Sequence, residues 1–173
     1  SHGRFDILNT PKFSSTSAYQ PGGVASAFHG RISNRFTKTI RDSVGRWIIH
    51  EFVGREKPLR VYNVYRVNPK NAKADTSAWA QQKRHLQEHD ISTDPREHVI
   101  TTLLDDIESS IQNGCSIILM GDMNEDICDK KGKISQFLKD TGLVNTMVEK
   151  SGEKELAVQN THLNGTKCNN RGI

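Results

Sequence analysis

Residues 116–124 read Ser-Ile-Ile-Leu-Met-Gly-Asp-Met-Asn, an apolar run that follows Gly114 and ends in an acid and an amide. Such a short run predicts a buried β-strand, and Gly121 permits a sharp turn or a close backbone approach. Asp122 and Asn124 then lie at the carboxyl end of the strand, where open α/β sheets often bind ligands. If the strand continues through both residues, its period of two places them on the same side.

The length and composition of the chain fit a single domain, residues 1–173, that can bury a sizeable core. Its 173 residues are 34% hydrophobic, and the mean hydropathy is -0.64. No apolar run approaches the roughly 18 residues of a membrane span, so no membrane partner is expected. The three cysteines are an odd count and match no zinc pattern. They favour a reduced, intracellular protein, with the nucleus as one candidate location.

Positive charge is concentrated in one segment, between residues 31 and 46. The whole chain has a net charge of +4 and a pI of about 9.0, which permits a nucleic-acid partner without requiring one. The segment holds one acid, Asp42, against Arg31, Arg35, Lys38, Arg41 and Arg46. It is either a solvated loop or a surface that contacts the phosphates of a nucleic acid. In the second case the substrate-binding residues are Arg31, Arg35, Lys38 and Arg41.

The order of the remaining patterns is typical of an α/β fold. Two β-rich runs, Arg46–Val53 and Leu59–Val67, are separated by turn residues and predict an antiparallel hairpin. Two helices follow, one over about residues 76–89 and one from an N-cap at Asp94 to Gly114. The apolar stripe of the second helix comprises Val99, Ile100, Leu103, Leu104, Ile107 and Ile111. Strand, helices and strand in this order predict helices packed on a sheet face.

One face of the run Leu59–Val67 combines apolar residues with an amide and a phenol. Alternation places Asn63 and Tyr65 on this face together with Leu59, Val61 and Val67. An amide on such a face is unusual unless it has hydrogen-bond partners. We therefore expect Asn63 to be bonded, and we expect the hydroxyl of Tyr65 to reach the end of the strand.

Residues 121–124, Gly-Asp-Met-Asn, resemble the Gly-Asp-Phe/Leu-Asn signature of the endonuclease/exonuclease/phosphatase superfamily, which includes apurinic endonucleases and DNase I. Pro-Gly-Gly at 21–23, Gly-Arg-Trp at 45–47 and Asn-Val-Tyr at 63–65 precede the signature. This order is most similar to the endonuclease domains of non-LTR retrotransposons. The resemblance extends over residues 22–173. It implies a DNase I-like two-sheet β-sandwich flanked by helices and incomplete at both ends.

The resemblance also implies a chemistry, the hydrolysis of phosphodiester bonds in nucleic acid, with DNA as the expected partner and Mg²⁺ as the cofactor, or Mn²⁺ in its place. Asp122 would bind the ion and orient or activate the attacking water, or assist the leaving group. Asn124 and Tyr65 would hold phosphate oxygens, and Thr161 and His162 would contact the substrate. The metal-binding glutamate and the general-base histidine of the family have no counterpart in this chain.

Alternative interpretations stay open at this point. The chain is either an endonuclease-like enzyme or a non-catalytic nucleic-acid-binding or structural remnant of the same fold. A phosphatase of the same superfamily, acting on a small or lipid phosphate, is the third possibility. At the level of residues, Asp122 and Asn124 could form an ordinary strand-end turn, and Tyr65 could be a core tyrosine.

Overall fold

In a computed structural model of the chain, the described residues are 3–8, 22–69, 76–127, 129–146, 162–164 and 167–169. The chain divides into two units, residues 1–122 and 123–173. Both units combine helices with β-strands, so the predicted α/β class is confirmed. The prediction that residues 1–173 form a single domain stays a prediction.

The first unit contains a two-stranded and a four-stranded sheet. Strands β1 and β2 pair antiparallel, and a 3₁₀ helix follows β2. The four-stranded sheet has the order β3-β4-β5-β6, with β3, β4 and β5 antiparallel and β6 parallel to β5. Helices α1 and α2 connect β5 to β6. The bounds are β1 Gly3–Leu8, β2 Val24–His29, 3₁₀ helix Gly30–Arg35, β3 Phe36–Arg41, β4 Trp47–Phe52, β5 Leu59–Tyr65, α1 Ala78–Glu88, α2 Pro95–Gln112 and β6 Ser116–Asp122.

The ends of α1 and α2 are fixed by side chains. Ser77 Oγ accepts a hydrogen bond from the backbone N–H of Ala80, and Asp94 caps α2 by accepting from the N–H of Arg96. The predicted N-cap at Asp94 is therefore confirmed. The apolar stripe is confirmed for Val99, Leu103 and Ile107, which are buried, but Ile111 is 45% exposed. The last turn of α2 extends past the apolar surface that buries the preceding turns.

The four-stranded sheet is covered on both faces at its centre. The hydroxyl of Tyr62 on β5 donates to Asp106 Oδ1 of α2, at 2.5 Å. On the other face, the ring of Phe28 on β2 lies 5.0 Å from the ring of Phe52 on β4. Asn63, which points away from Tyr62 along β5, donates to the carbonyl of Ala25 at 2.7 Å. The expectation that Asn63 needs partners is confirmed, and the bond fixes β2 against the sheet.

Strand β6 is less buried than the sequence predicts. Every second residue is exposed, and Ile118 and Met120 keep 48% and 50% of their surface. In the part of the chain that the structure describes, β5 is the neighbour of β6, so β6 forms an edge of the sheet. The prediction of a fully buried strand is wrong because an apolar run alone does not indicate whether both faces are covered.

The segment 31–46 is not a loop. It contains the 3₁₀ helix, strand β3 and the turn into β4. Thr37, Thr39 and Ile40 are β-branched residues that favour a strand, while the charges between them suggested a solvated segment. Among the described strands β3 is at the other end of the sheet, and lysine and arginine on an edge strand oppose pairing with other chains. The basic residues of β3 therefore have a structural reason to be there as well as a candidate functional one.

The second unit is described in part. Its helix α3 covers Lys133–Thr141 and ends at Gly142, which adopts a left-handed conformation with φ of 68°. Glu125 Oε1 accepts a hydrogen bond from the N–H of Ile134 at 2.9 Å, in the first turn of α3. Two short strands, β7 His162–Asn164 and β8 Lys167–Asn169, pair antiparallel. Among the described residues of the whole chain, no helix is long and apolar enough to cross a membrane.

Candidate active site at the ends of β5 and β6

Tyr65 and Asp122 are partners in the parallel pair of β5 and β6. Both residues are the last of their strands, and the ladder continues with a hydrogen bond from the N–H of Arg66 to the carbonyl of Asp122, at 2.8 Å. Paired residues of neighbouring parallel strands point to the same face of the sheet. Asp122 is exposed and Tyr65 is half-buried. A phenol and a carboxylate thus occupy adjacent positions at the carboxyl end of the sheet.

Gly121 makes this pairing possible. Its φ is 139°, and a Cβ atom built on it would lie 1.9 Å from the carbonyl oxygen of Val64. No side chain fits at that distance, so with this backbone conformation a residue with a Cβ would overlap the neighbouring strand at Val64. The sequence expectation of a close backbone approach at Gly121 is confirmed.

Asn124 does not continue the alternation of β6. The strand ends at Asp122, and Asn124 has a φ of 48°. Asparagine tolerates this left-handed conformation because its short side chain forms local hydrogen bonds. The condition under which Asp122 and Asn124 would share one side is therefore not met. Because Asn124 belongs to the second unit, its role as a phosphate ligand stays a prediction.

The predicted substrate-binding cations fall into two groups. Arg31 and Arg35 are exposed on the 3₁₀ helix and form no ion pair with the described residues. Lys38 and Arg41 lie on β3 and have acidic partners. Lys38 Nζ is 3.6 Å from Glu51, and Arg41 Nη2 donates to Asp6 Oδ1 at 2.5 Å.

Arg46, the last cation of the basic segment, belongs to the interior. It is 2% exposed, and its guanidinium donates to both carboxylate oxygens of Asp42, at 2.7 and 2.8 Å. Its Nη1 lies 3.1 Å from His98 Nδ1. Arg46 therefore stabilises the turn between β3 and β4 and is removed from the candidate phosphate surface.

The structure does not describe the side chains of two predicted substrate contacts, Thr161 and His162. Thr161 lies outside the described residues, and of His162 the structure describes the backbone alone, as the first residue of β7. Their assignment as substrate contacts stays a prediction.

A buried carboxylate, Asp6, was missed by the sequence analysis. It is 7% exposed on β1 and accepts hydrogen bonds from Arg4 Nε at 2.7 Å and from Arg41. Burial alone would raise the pKa of Asp6, but the hydrogen bond from Arg4 and the charges of Arg4 and Arg41 outweigh it, so the pKa is lowered. Arg4 and Asp6 are near neighbours on β1, but no local sequence signal links them to Arg41, which lies on β3.

His50 packs beneath the same carboxylate. It is 3% exposed, with Nδ1 at 3.8 Å from Asp6 and 3.2 Å from the hydroxyl of Thr39. Burial lowers the pKa of His50 below its ordinary 6.5; Asp6 opposes the shift, and the charges of Arg4 and Arg41 reinforce it. The imidazole is therefore neutral at pH 7.

We expect the free energy of unfolding to fall as the pH drops below about 6.5. The folded protein keeps His50 neutral at pH values where the unfolded chain protonates it, so unfolding takes up a proton. The contribution is complete above the unfolded pKa and is lost below it. Urea midpoints at about pH 7.5 and about pH 5.5 measure the change. Burial also lowers the pKa of His85, so both His50→Gln and His85→Gln variants are needed. An equal decline in wild type and His50→Gln would contradict the assignment.

Asp122 contributes one carboxylate to the candidate metal site. In the described part of the chain, no group of three or more His, Cys, Asp or Glu side chains could hold a metal ion. Mg²⁺ commonly uses one or two carboxylates and takes further oxygen ligands from water and substrate phosphate. The carboxylate of Asp122 therefore fits an Mg²⁺ ion that is shared with a phosphate, and the described residues form no all-protein cage around it.

Comparison of the chain with protein-family models, curated proteins and solved structures gave no match.

Proposed function

We propose that this chain takes part in the Mg²⁺-dependent hydrolysis of phosphodiester bonds in nucleic acid, as an endonuclease-like protein. The observation that carries the proposal is the register of Tyr65 with Asp122. It brings a phenol hydroxyl and a carboxylate together at the end of a sheet, and the proposed chemistry uses both groups. The exposed cations Arg31 and Arg35 provide charge that attracts a polyanion.

In the proposed reaction, the Tyr65 hydroxyl donates a hydrogen bond to a non-bridging phosphate oxygen. This bond strengthens as negative charge grows on the phosphate, so it stabilises the transition state more than the ground state. Asp122 orients the attacking water and accepts its proton, or assists the leaving group. The metal ion, when bound, supplies neutralisation of the charge on the phosphate.

The same proposal includes a specific fold, the DNase I-like sandwich, and a location in the cell. The packing of β2 against the sheet face opposite α2 supports a DNase I-like two-sheet sandwich. An intracellular location, with the nucleus as the candidate compartment, fits a DNA substrate.

Asp122→Asn is expected to lower the rate of plasmid nicking by about 100-fold or more, because a general base typically contributes that much. Tyr65→Phe, which removes one hydrogen bond to a charged group, is expected to lower it about tenfold to hundredfold. The measurement is nicking of supercoiled DNA by the full chain, with Mg²⁺ and with a chelator. Asp105→Asn, a matched loss of an exposed carboxylate on α2, is the control. An unchanged rate in Asp122→Asn would exclude the proposed role.

A non-catalytic nucleic-acid-binding protein is the second candidate. It is favoured by the single carboxylate found at the described strand ends. If the wild-type chain binds DNA tightly and produces no Mg²⁺-dependent nicks, this second candidate replaces the first.

A further inference from the structure

We propose that Arg4 and Arg41 form a guanidinium clamp, oriented by Asp6, that grips the phosphate backbone of a nucleic acid. This inference rests on the proposed function for its substrate class and adds the surface that recognises the substrate. It also adds Arg4 and Asp6, which are outside the basic segment that the sequence indicates.

The clamp joins two strands of different sheets through one carboxylate. Arg4 and Asp6 lie on β1, and Arg41 lies at the end of β3. Arg4 Nε binds Asp6 Oδ2, while Arg41 Nη2 binds Asp6 Oδ1. Each guanidinium has five N–H donors, and Asp6 uses one from each. The side chains of Arg4 and Arg41 are 40% and 43% exposed, so other donors are available at the surface.

Both guanidiniums are held in place before any ligand binds. The Arg4 guanidinium carbon lies 4.1 Å from the centroid of the Phe36 ring, a cation–π contact. Phe36 in turn packs 5.5 Å from Phe28, measured between ring centroids. Asp6 is buried and accepts a further contact from the Thr39 hydroxyl at 3.5 Å. A ligand that binds a fixed guanidinium loses less side-chain entropy than one that must order a mobile chain.

The clamp retains excess positive charge. Two guanidiniums meet one carboxylate, and the buried His50 beside them is neutral at pH 7. The cluster therefore carries a net charge of about +1 by this count of formal charges. Paired guanidinium groups with outward N–H donors match the oxygens of a phosphate, which they bind by charge-assisted hydrogen bonds.

The surroundings favour an extended polyanion over a single small phosphate. The clamp strand β1, the 3₁₀ helix and β3 contain one carboxylate, that of Asp6. The 3₁₀ helix adds Arg31 and Arg35 to the clamp, and β3 adds Lys38, which also lies 3.6 Å from Glu51. Cations spread over several elements neutralise successive phosphates of a backbone.

The test is binding of a fluorescent DNA duplex to the full chain, followed by anisotropy between about 50 and 200 mM salt, with a chelator present. Loss of two phosphate contacts in Arg4→Gln/Arg41→Gln is expected to reduce the slope of log K against log salt by about 1.8. Arg55→Gln/Arg84→Gln removes the same charge from exposed positions in the β4–β5 turn and on α1. This control is expected to leave the slope nearly unchanged.

A second pair of substitutions separates the clamp from simple charge. Arg4→Lys/Arg41→Lys keeps both charges but loses the planar fork, so we expect affinity to fall about threefold to tenfold with little change in slope. Wild-type affinity in this variant would overturn the clamp, and so would equal slopes in the two glutamine variants. Binding to anionic phospholipid vesicles without binding to DNA would assign the surface to a membrane and also overturn it.

Because the chelator removes Mg²⁺, the binding experiment tests the clamp separately from the cleavage tested by the nicking experiment. Binding without metal requires the clamp and does not require cleavage. If the chain fails to nick DNA but the clamp variants lose affinity as expected, the proposed chemistry fails and the clamp stands. If nicking depends on Asp122 but clamp and control variants bind alike, the clamp fails alone.

Discussion

Replacing Gly121 by alanine is expected to lower the free energy of unfolding by about 3 to 5 kcal/mol, and to abolish any activity that depends on Tyr65 and Asp122. The new Cβ would lie 1.9 Å from the carbonyl oxygen of Val64 and 2.7 Å from its carbonyl carbon. These are backbone atoms of the neighbouring strand, so no side-chain rotation relieves the overlap. Strand β6 must move away from β5, which breaks the ladder next to the site.

Gly114→Ala is the matched control for this experiment. Gly114 also has a positive φ, of 74°, but a Cβ built there would meet no atom within 4 Å. Gly114→Ala is expected to lower the free energy of unfolding by about 1 to 2 kcal/mol, because it adds conformational strain without a steric overlap. Urea unfolding of both variants measures the difference. Equal losses would contradict the close approach of β5 and β6 at Gly121.

Asp42→Ala is expected to lower the free energy of unfolding by about 3 to 5 kcal/mol. Asp42 is 6% exposed and accepts three hydrogen bonds from Arg46, two from the guanidinium and one from the backbone N–H. Without the carboxylate, the guanidinium is left buried and unneutralised, with His98 as its remaining described contact. A loss of this size is a large fraction of the stability of a typical domain.

Two controls separate the buried pair from ordinary surface ion pairs. Lys38→Ala breaks a contact of 3.6 Å whose lysine is 54% exposed, and it is expected to cost less than about 1 kcal/mol. Asp42→Ala/Arg46→Met removes both charges and is expected to recover much of the loss, because an uncharged core side chain needs no partner. If the double variant is no more stable than Asp42→Ala, the buried charge is not the cause.

Much of the fold follows from local patterns. The N-cap at Asp94, the end of α3 at Gly142 and the hairpin of β4 and β5 each depend on residues close together in sequence. The edge position of β6 does not, because it depends on which other segments reach the exposed face at Ile118 and Met120. Strand β3 was missed because the charged residues of the segment suggested a solvated loop, although β-branched residues lie between them.

The residues of the candidate site likewise differ in how far local sequence patterns predict them. Tyr65 and Asp122 were predicted from the resemblance of residues 63–65 and 121–124 to a known family. They are the last residues of β5 and β6, and the parallel register places them side by side. The conformation of Asn124 was not predictable, because a single backbone angle decides whether alternation continues past Asp122. Asp6 was missed entirely, because Arg41, which completes its ion-pair cluster, lies 35 residues away on β3.

The topology of the sheet has a consequence for the order in which these features arise during synthesis. Strands β3, β4 and β5 are consecutive antiparallel neighbours, and such local contacts form early. Strand β6 pairs parallel with β5, so it can join only after the crossover through α1 and α2 has been made. Domains generally form from the N-terminal side as the ribosome releases them. A chain interrupted before Ser116 would retain the residues of the cationic surface and lack the carboxylate that the proposed chemistry requires.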